Sequence, residues 1–239
     1  GLALGDREIT YPPWTRTTSP RLKRTARAMT AINHHTSDAL LAAYASGNLA
    51  QPFALVVAAH VSMCIECRAA LLAHQTVGGA VMEAGAQAAC SGGLKASILD
   101  RLDDEPAPEI TYARSSIFPS PVMAALKGKP PRWKSLGMGV RQSILSADDT
   151  GSVRLLYIPA GRAMPDHSHS GMELTLVLQG SFSDETGRFG VGDVEVAFDD
   201  LEHTPTANVG PACICLAAAD APLRFTSLIP RMLQPIFRI

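Results

Sequence analysis

Apolar positions recur at helical spacing from Ser37 to about Leu102 and at strand spacing after residue 132. Ser37 suits the N-cap of a helix over Asp38-Ala-Leu-Leu-Ala-Ala-Tyr44-Ala, with Asp38 near the positive end of the dipole and Gly47 as the C′ stop. Pro52 fits the first turn of a second helix that runs towards His60. A third starts at Ile65-Glu66, continues through Ala69, Leu71, Leu72 and Val77, and is expected to break at Gly78-Gly79. A fourth covers Leu94 to about Leu102, where Leu94, Ile98, Leu99 and Leu102 repeat at helical spacing. Two places are open to it: a fourth core helix, or an arm apart from the other three that clamps a partner.

Residues 105–131 contain six prolines and read as a linker with one short helix around Val122–Lys127. Beyond Trp133, apolar residues alternate wholly or in part in Val140–Leu145, Val153–Ile158, Glu173–Leu178, Asp193–Ala197 and Ala212–Leu216, punctuated by Gly161, Gly180, Gly187, Gly190 and Gly192. Many short strands with regular turns predict an all-β sandwich or barrel. The expected organisation is therefore two domains of different class: a small all-α bundle over 29–104, then an all-β domain over 132–239. Residues 1–28, rich in Arg, Thr and Pro, read as a disordered extension, and Met29 as an alternative start. The basic residues Arg16, Arg21, Lys23, Arg24 and Arg27 read as part of a solvated tail.

Charge narrows the partners. A formal net charge of −1 argues against a general nucleic-acid binder. No apolar run reaches the roughly 18 residues that span a bilayer, and residues 1–28 lack the apolar core of a leader. Five cysteines, two of them in a metal-like cluster, fit a reducing cytoplasm better than a disulfide framework.

That cluster is His60-Val-Ser-Met-Cys64-Ile-Glu-Cys67, an H-x3-C-x2-C pattern. Two thiolates and two imidazoles make a closed tetrahedral zinc site. Cys64 and Cys67 can clasp one edge of the ion, and His60 lies one helical turn before Cys64. The fourth ligand is His34 or His35. A helical unit of about 70 residues is near the size where a metal staple becomes useful. A redox reading of Cys64-x2-Cys67 needs a βαβ setting that the pattern lacks, and it would leave His60 idle. Cys213 and Cys215 share one face of a strand, as core or lining residues or as a redox pair; Cys90 has no partner in view, and His74 reads as solvent-facing.

The β half has a second constellation: Gly161-x5-His167-x-His169-x3-Glu173-x6-Gly180, with His203 further on. Three imidazoles and a carboxylate suit zinc, manganese, iron, nickel or copper. This resembles the first motif of the cupin superfamily at every defining position, which implies a cupin barrel of jelly-roll type. The second cupin motif is degenerate. Gly192 and His203 are in register, but Phe198 and Asp200 replace its proline and second glycine, and Asn208 falls one place late.

An H-x3-C-x2-C knuckle on a small helical unit followed by a cupin resembles the ChrR-type zinc-binding anti-sigma factors of bacteria. The likeness spans about Met29 to Ile239. It includes His34–Leu41, His60–Cys67, Pro165–His169, Glu173–Gly180, Glu202–Pro205 and Pro235–Ile239. The resemblance implies a cytoplasmic, non-enzymatic regulator that sequesters an extracytoplasmic-function sigma factor. Structural Zn2+ would be held by His35, His60, Cys64 and Cys67. A second ion, Zn2+ or another divalent transition metal, would sit on His167, His169, Glu173 and His203 in the cupin. The cupin would take part in the response to singlet oxygen or hydroperoxide, with the sigma factor then released. The competing reading is a metal-dependent cupin enzyme of dioxygenase or isomerase type, which leaves the zinc knuckle unexplained. A third is a cupin that senses a small molecule at open metal positions.

Overall fold

The computed structural model describes residues 31–105, 110–164, 167–168, 171–198, 204–220 and 224–225, with only the backbone of 167–168 and 224–225. The expectations for residues 1–28, His169, His203 and Pro235–Ile239 lie outside the described residues.

Among the described residues five helices precede the sheet: α1 (Asp38–Ala45), α2 (Gln51–Met63), α3 (Ile65–Ala84), α4 (Leu94–Asp100) and α5 (Ser120–Ala125). The Ser37 side chain accepts from Leu40 N–H as the N-cap of α1. The helix closes in a Schellman motif: Gly47, at φ +72°, donates to Tyr44 O and Asn48 donates to Ala43 O. Pro52 occupies the first turn of α2. Cys64 then serves both neighbours, ending α2 and capping α3 by accepting from Cys67 N–H at 3.4 Å. The two helices meet at 117°, and among the described residues no single helix is long and apolar enough to cross a membrane.

Gly78-Gly79 does not break α3, which runs unbroken through Ala84. Each glycine costs only about 1 kcal/mol relative to alanine in a helix. In the proline-rich stretch α5 forms, and its Val122 is fully buried.

Eleven strands follow among the described residues. The large antiparallel sheet is ordered β1 (Lys134–Gly137), β2 (Val140–Asp148), β3 (Gly151–Ile158), β10 (Cys213–Ala219), β5 (Glu173–Gln179), β8 (Val194–Ala197). A three-stranded sheet is ordered β7 (Arg188–Gly190), β6 (Ser181–Ser183), β9 (Thr206–Ala207), and β4 (His167–Ser168) pairs with β11 (Arg224–Phe225).

Register shows what each face of the large sheet does. Leu155, Leu216, Leu176 and Val194 stand abreast on β3, β10, β5 and β8. This face packs under α2, and these side chains share one core with Phe53, Val56 and Val57 of that helix. Leu156, Cys215 and Val177 stand abreast on the opposite face. There Val177, Cys213 and Cys215 pack with Phe182, Phe189 and Ala207 of the small sheet. Both faces of β5 and β10 are covered, so each reads as a nearly continuous apolar run. Each such side chain contributes on the order of 1.5–3 kcal/mol of burial. Helices and sheet thus share a core, with α2 as its roof.

Candidate metal centre

Phe53, Val56, Val57 and His60 form one stripe along α2 at helical spacing. Three of them are core residues, and the stripe carries His60 to complete burial. At the next corner Cys64 and Cys67, both buried, turn their sulfurs back towards it. His35 arrives from the segment before α1. Its Nδ1 lies 3.3 Å from Cys64 Sγ and 3.5 Å from Cys67 Sγ. One donor atom from each of His35, His60, Cys64 and Cys67 falls within 4.8 Å of every other. Tetrahedral zinc, with bonds of about 2.0–2.3 Å, needs ligand atoms on the order of 3.3–3.8 Å apart, so the donor set can hold such an ion with little movement.

The electrostatics agree with that use. His60 Nδ1 sits 2.9 Å from Gly192 O, and His60 Nε2 is buried with no hydrogen-bond partner. An Nδ1–H donating to the carbonyl leaves the Nε2 lone pair aimed at the sulfurs. Burial pushes the His60 imidazole down, which keeps it neutral near pH 7, while the Gly192 carbonyl opposes part of that shift. Burial pushes the Cys67 thiol up, against a weak hydrogen bond from Thr36 Oγ1 at 3.8 Å. A cation among the donors would offset the cost of a buried thiolate.

Spacing alone leaves His34 and His35 open, and the two side chains differ in direction: His35 joins the cluster. His34 turns away and packs on Phe189 at 4.5 Å between ring centroids, with Nδ1 3.5 Å from Asp193 Oδ2. Two partners of the cluster are absent from its sequence signature. Glu66 Oε2 lies 3.4 Å from His35 Nε2, the carboxylate–histidine arrangement that orients a metal ligand. Gly192 comes from the far end of the chain. The position of Glu66 inside C-x2-C is the only cue the sequence offers for the first, and there is none for the second.

The β-half constellation is only partly visible. Glu173 opens β5 and accepts from Thr175 Oγ1 at 2.8 Å. Register places it on the face that meets the small sheet, abreast of Ser152 and Ala219. His167 pairs with Phe225 through the backbone, and His169 and His203 lie outside the described residues. The same face carries Arg154, which donates to Gln142 Oε1 and Ser152 Oγ; burial lowers its pKa and the charge of Glu173 opposes that.

Cys213 and Cys215 lie on this face with sulfurs 3.5 Å apart. Contact with Cys213, together with burial, pushes the Cys215 thiol well up, so it stays protonated at neutral pH. Cys90 is exposed. His74 is not a free surface histidine: its Nε2 meets Asp38 Oδ1 at 2.8 Å and ties α3 to α1.

The helices also expose large apolar side chains. Past Leu71, α3 presents Leu72, Val77, Val81 and Met82 to solvent, and α4 presents Leu94, Ile98 and Leu99, with Leu102 just beyond it. No residue of α4 is buried, so it is not a fourth core helix.

Residues 123–221 match the family model described as "ChrR Cupin-like domain". The chain is 52% identical over 211 residues to the anti-sigma-E factor ChrR of Cereibacter sphaeroides, covering 87% of this chain and 99% of that one. It is also similar to a solved structure, Rhodobacter sphaeroides SigE in complex with the anti-sigma ChrR. That likeness has a TM-score of 0.72 and 50% identity over 80% of this chain and 100% of the other.

Proposed function

The chain belongs to the ChrR family of anti-sigma factors, and from that premise we propose that it sequesters a sigma factor of the extracytoplasmic-function class, of which SigE is the relative's partner. The observation that carries this is 52% identity along nearly the whole of a named anti-sigma factor. It is a regulator and not an enzyme, so the dioxygenase or isomerase reading is set aside. The two halves divide the work. The exposed apolar positions of α3 and α4 supply the surface for the sigma factor, as helices docking through an apolar face do.

Zinc is the ion we assign to His35, His60, Cys64 and Cys67, on the chemistry of the donor set and the orphaned Nε2 of His60. Its part is structural: four protein ligands leave no open position, and the corner between α2 and α3 keeps its angle. His167, His169, Glu173 and His203 are assigned to a second divalent metal in the cupin-like half, which receives the oxidative signal. The protein works in the cytoplasm, where sigma factor and polymerase meet.

Co-expression with the SigE-type sigma factor of the same organism tests the reading. A stoichiometric complex is expected, and a sigma factor that neither co-purifies nor is inhibited rejects it. His167→Ala should keep sigma binding and blunt the transcriptional response to singlet oxygen or hydroperoxide.

A further inference from the structure

The metal cluster is not held by the helices alone. β8 is the outermost strand of the large sheet, and its free edge is taken by the segment that leads to His35. Val194 N–H donates to His34 O at 3.1 Å. One residue earlier, Asp193 Oδ1 accepts from Asn33 N–H at 2.7 Å and His34 N–H at 3.0 Å, while Oδ2 accepts from Gly190 N–H at 2.7 Å. One carboxylate thus closes its own turn and anchors the residue next to His35. The same turn reaches His60. Gly192 O takes the Nδ1 contact at 2.9 Å. Gly192 has φ +97°, and a Cβ there would come within 2.6 Å of the Ile32 side chain, so only glycine suits both the turn and the overlying segment.

We propose that the Gly190–Asp193 turn is the outer shell of the metal site: the sheet edge positions both histidines for the metal, and the metal holds residues 33–35 on that edge. The inference rests on the reading of His35, His60, Cys64 and Cys67 as metal ligands. Gly192 O selects the tautomer of His60, and Asp193 fixes the backbone from which His35 projects. Groups of this kind that orient metal ligands typically change affinity by about 10–100-fold when removed. Linkage is reciprocal, so whatever affinity the turn adds to the metal, the metal adds to the attachment of the turn. Gly190–Asp193 would then be the physical connection through which events in the β half reach the helices.

The full chain loaded with cobalt(II) provides the test, because thiolate ligation gives a charge-transfer band that a His/Glu site does not. Asp193→Ala should weaken metal affinity at the thiolate site about 10–100-fold and alter the cobalt spectrum. Asp193→Asn, which keeps one carbonyl oxygen for Asn33 and His34 N–H, should recover much of the loss. Asp148→Ala is the matched control: Asp148 accepts from Thr150 N–H and Oγ1 in the β2–β3 turn, and its loss should leave the spectrum unchanged.

A second measurement needs no variant. On metal removal, hydrogen exchange at the Val194 amide should accelerate while that at Leu216, in the centre of the sheet, stays slow. Wild-type affinity and spectrum in folded Asp193→Ala, or Val194 exchange that ignores the metal, overturns the proposal and leaves the ligand assignment standing. A wild-type chain without the thiolate band overturns both.

Discussion

The two ends of α3 are built for different surroundings. The first three turns are locked: Cys64 caps the helix, Cys67 and Leu71 are buried, and His74 reaches Asp38 on α1. Beyond that, the helix holds its shape with its large apolar side chains exposed among the described residues, Val81 at 66% and Met82 at 82%. Soluble proteins rarely leave several large apolar side chains of one helix end bare without a use for them. The locked end fixes the direction of the helix, and the bare end offers what is to be covered. Under the proposed function a single helix carries both the anchor and the docking face, and whatever disturbs the anchor also moves the face.

The largest effect should come from the anchor. Cys67→Ala removes one of four donors and should forfeit most of the stabilisation of a structural zinc, on the order of 10 kcal/mol. Metal content and sigma binding, measured together, should both collapse, and unimpaired partner affinity would sink the structural-zinc account. Next comes the shared roof. Leu176→Ala, on the face of β5 beneath α2, should cost about 2–5 kcal/mol in denaturant unfolding. Circular dichroism and Trp133 fluorescence should shift together, because helices and sheet share that core.

At the bare end the pattern should invert. Val81→Asp is expected to weaken sigma binding by about tenfold or more while changing the stability of the free chain by no more than about 0.5 kcal/mol. Equal losses in both assays would mean that the face belongs to the protein's own core.

The smallest effect is that of mild acid on the anchor. Burial holds His60 below its ordinary pKa, so near pH 6 the unfolded chain binds more protons than the folded one. Stability and metal retention should therefore be full above about pH 6.5 and decline as the pH falls below it. Asp193 behaves differently. Burial raises its pKa, but N–H donors from Gly190, His34 and Asn33 outweigh that and hold it below the usual carboxylate range. Its contribution is kept until the pH drops below about 3.9 and is lost as the pH falls through its folded value. Denaturation series at pH 7.5, 5.5 and 3 separate the two.

Much of this contrast could be read from the chain, and the part that could not has a common cause. Ser37, Gly47 and Pro52 announce helix ends by local chemistry, and the structure has them in those roles. The H-x3-C-x2-C spacing brings its side chains together for the same reason, since three residues on one helical corner are neighbours before any folding at a distance. His34 and His35 are adjacent, so spacing cannot rank them; Phe189 and Asp193, more than 150 residues away, turn the former aside. Gly192 beside His60 is equally non-local. The alternation expected of β5 fails because α2 covers one face and the small sheet the other, and a strand's own sequence does not say what lies above it. Gly78-Gly79 misleads in the opposite sense: its local cost is real but too small to end a helix of 20 residues.

The roof that α2 makes has a consequence for anyone who cuts this chain. The proline-rich stretch invites a division into an all-helical piece and an all-β piece. A piece beginning at residue 132 would leave Leu155, Leu174, Leu176 and Leu216 as a greasy plateau facing water, with β8 offering an unprotected margin beside it. Those are the ingredients of edge-to-edge clumping. Solubility trials of such a fragment should fail unless Asn33–Thr36 and α2 travel with it, so the useful boundary for biochemistry follows the fold rather than the prolines.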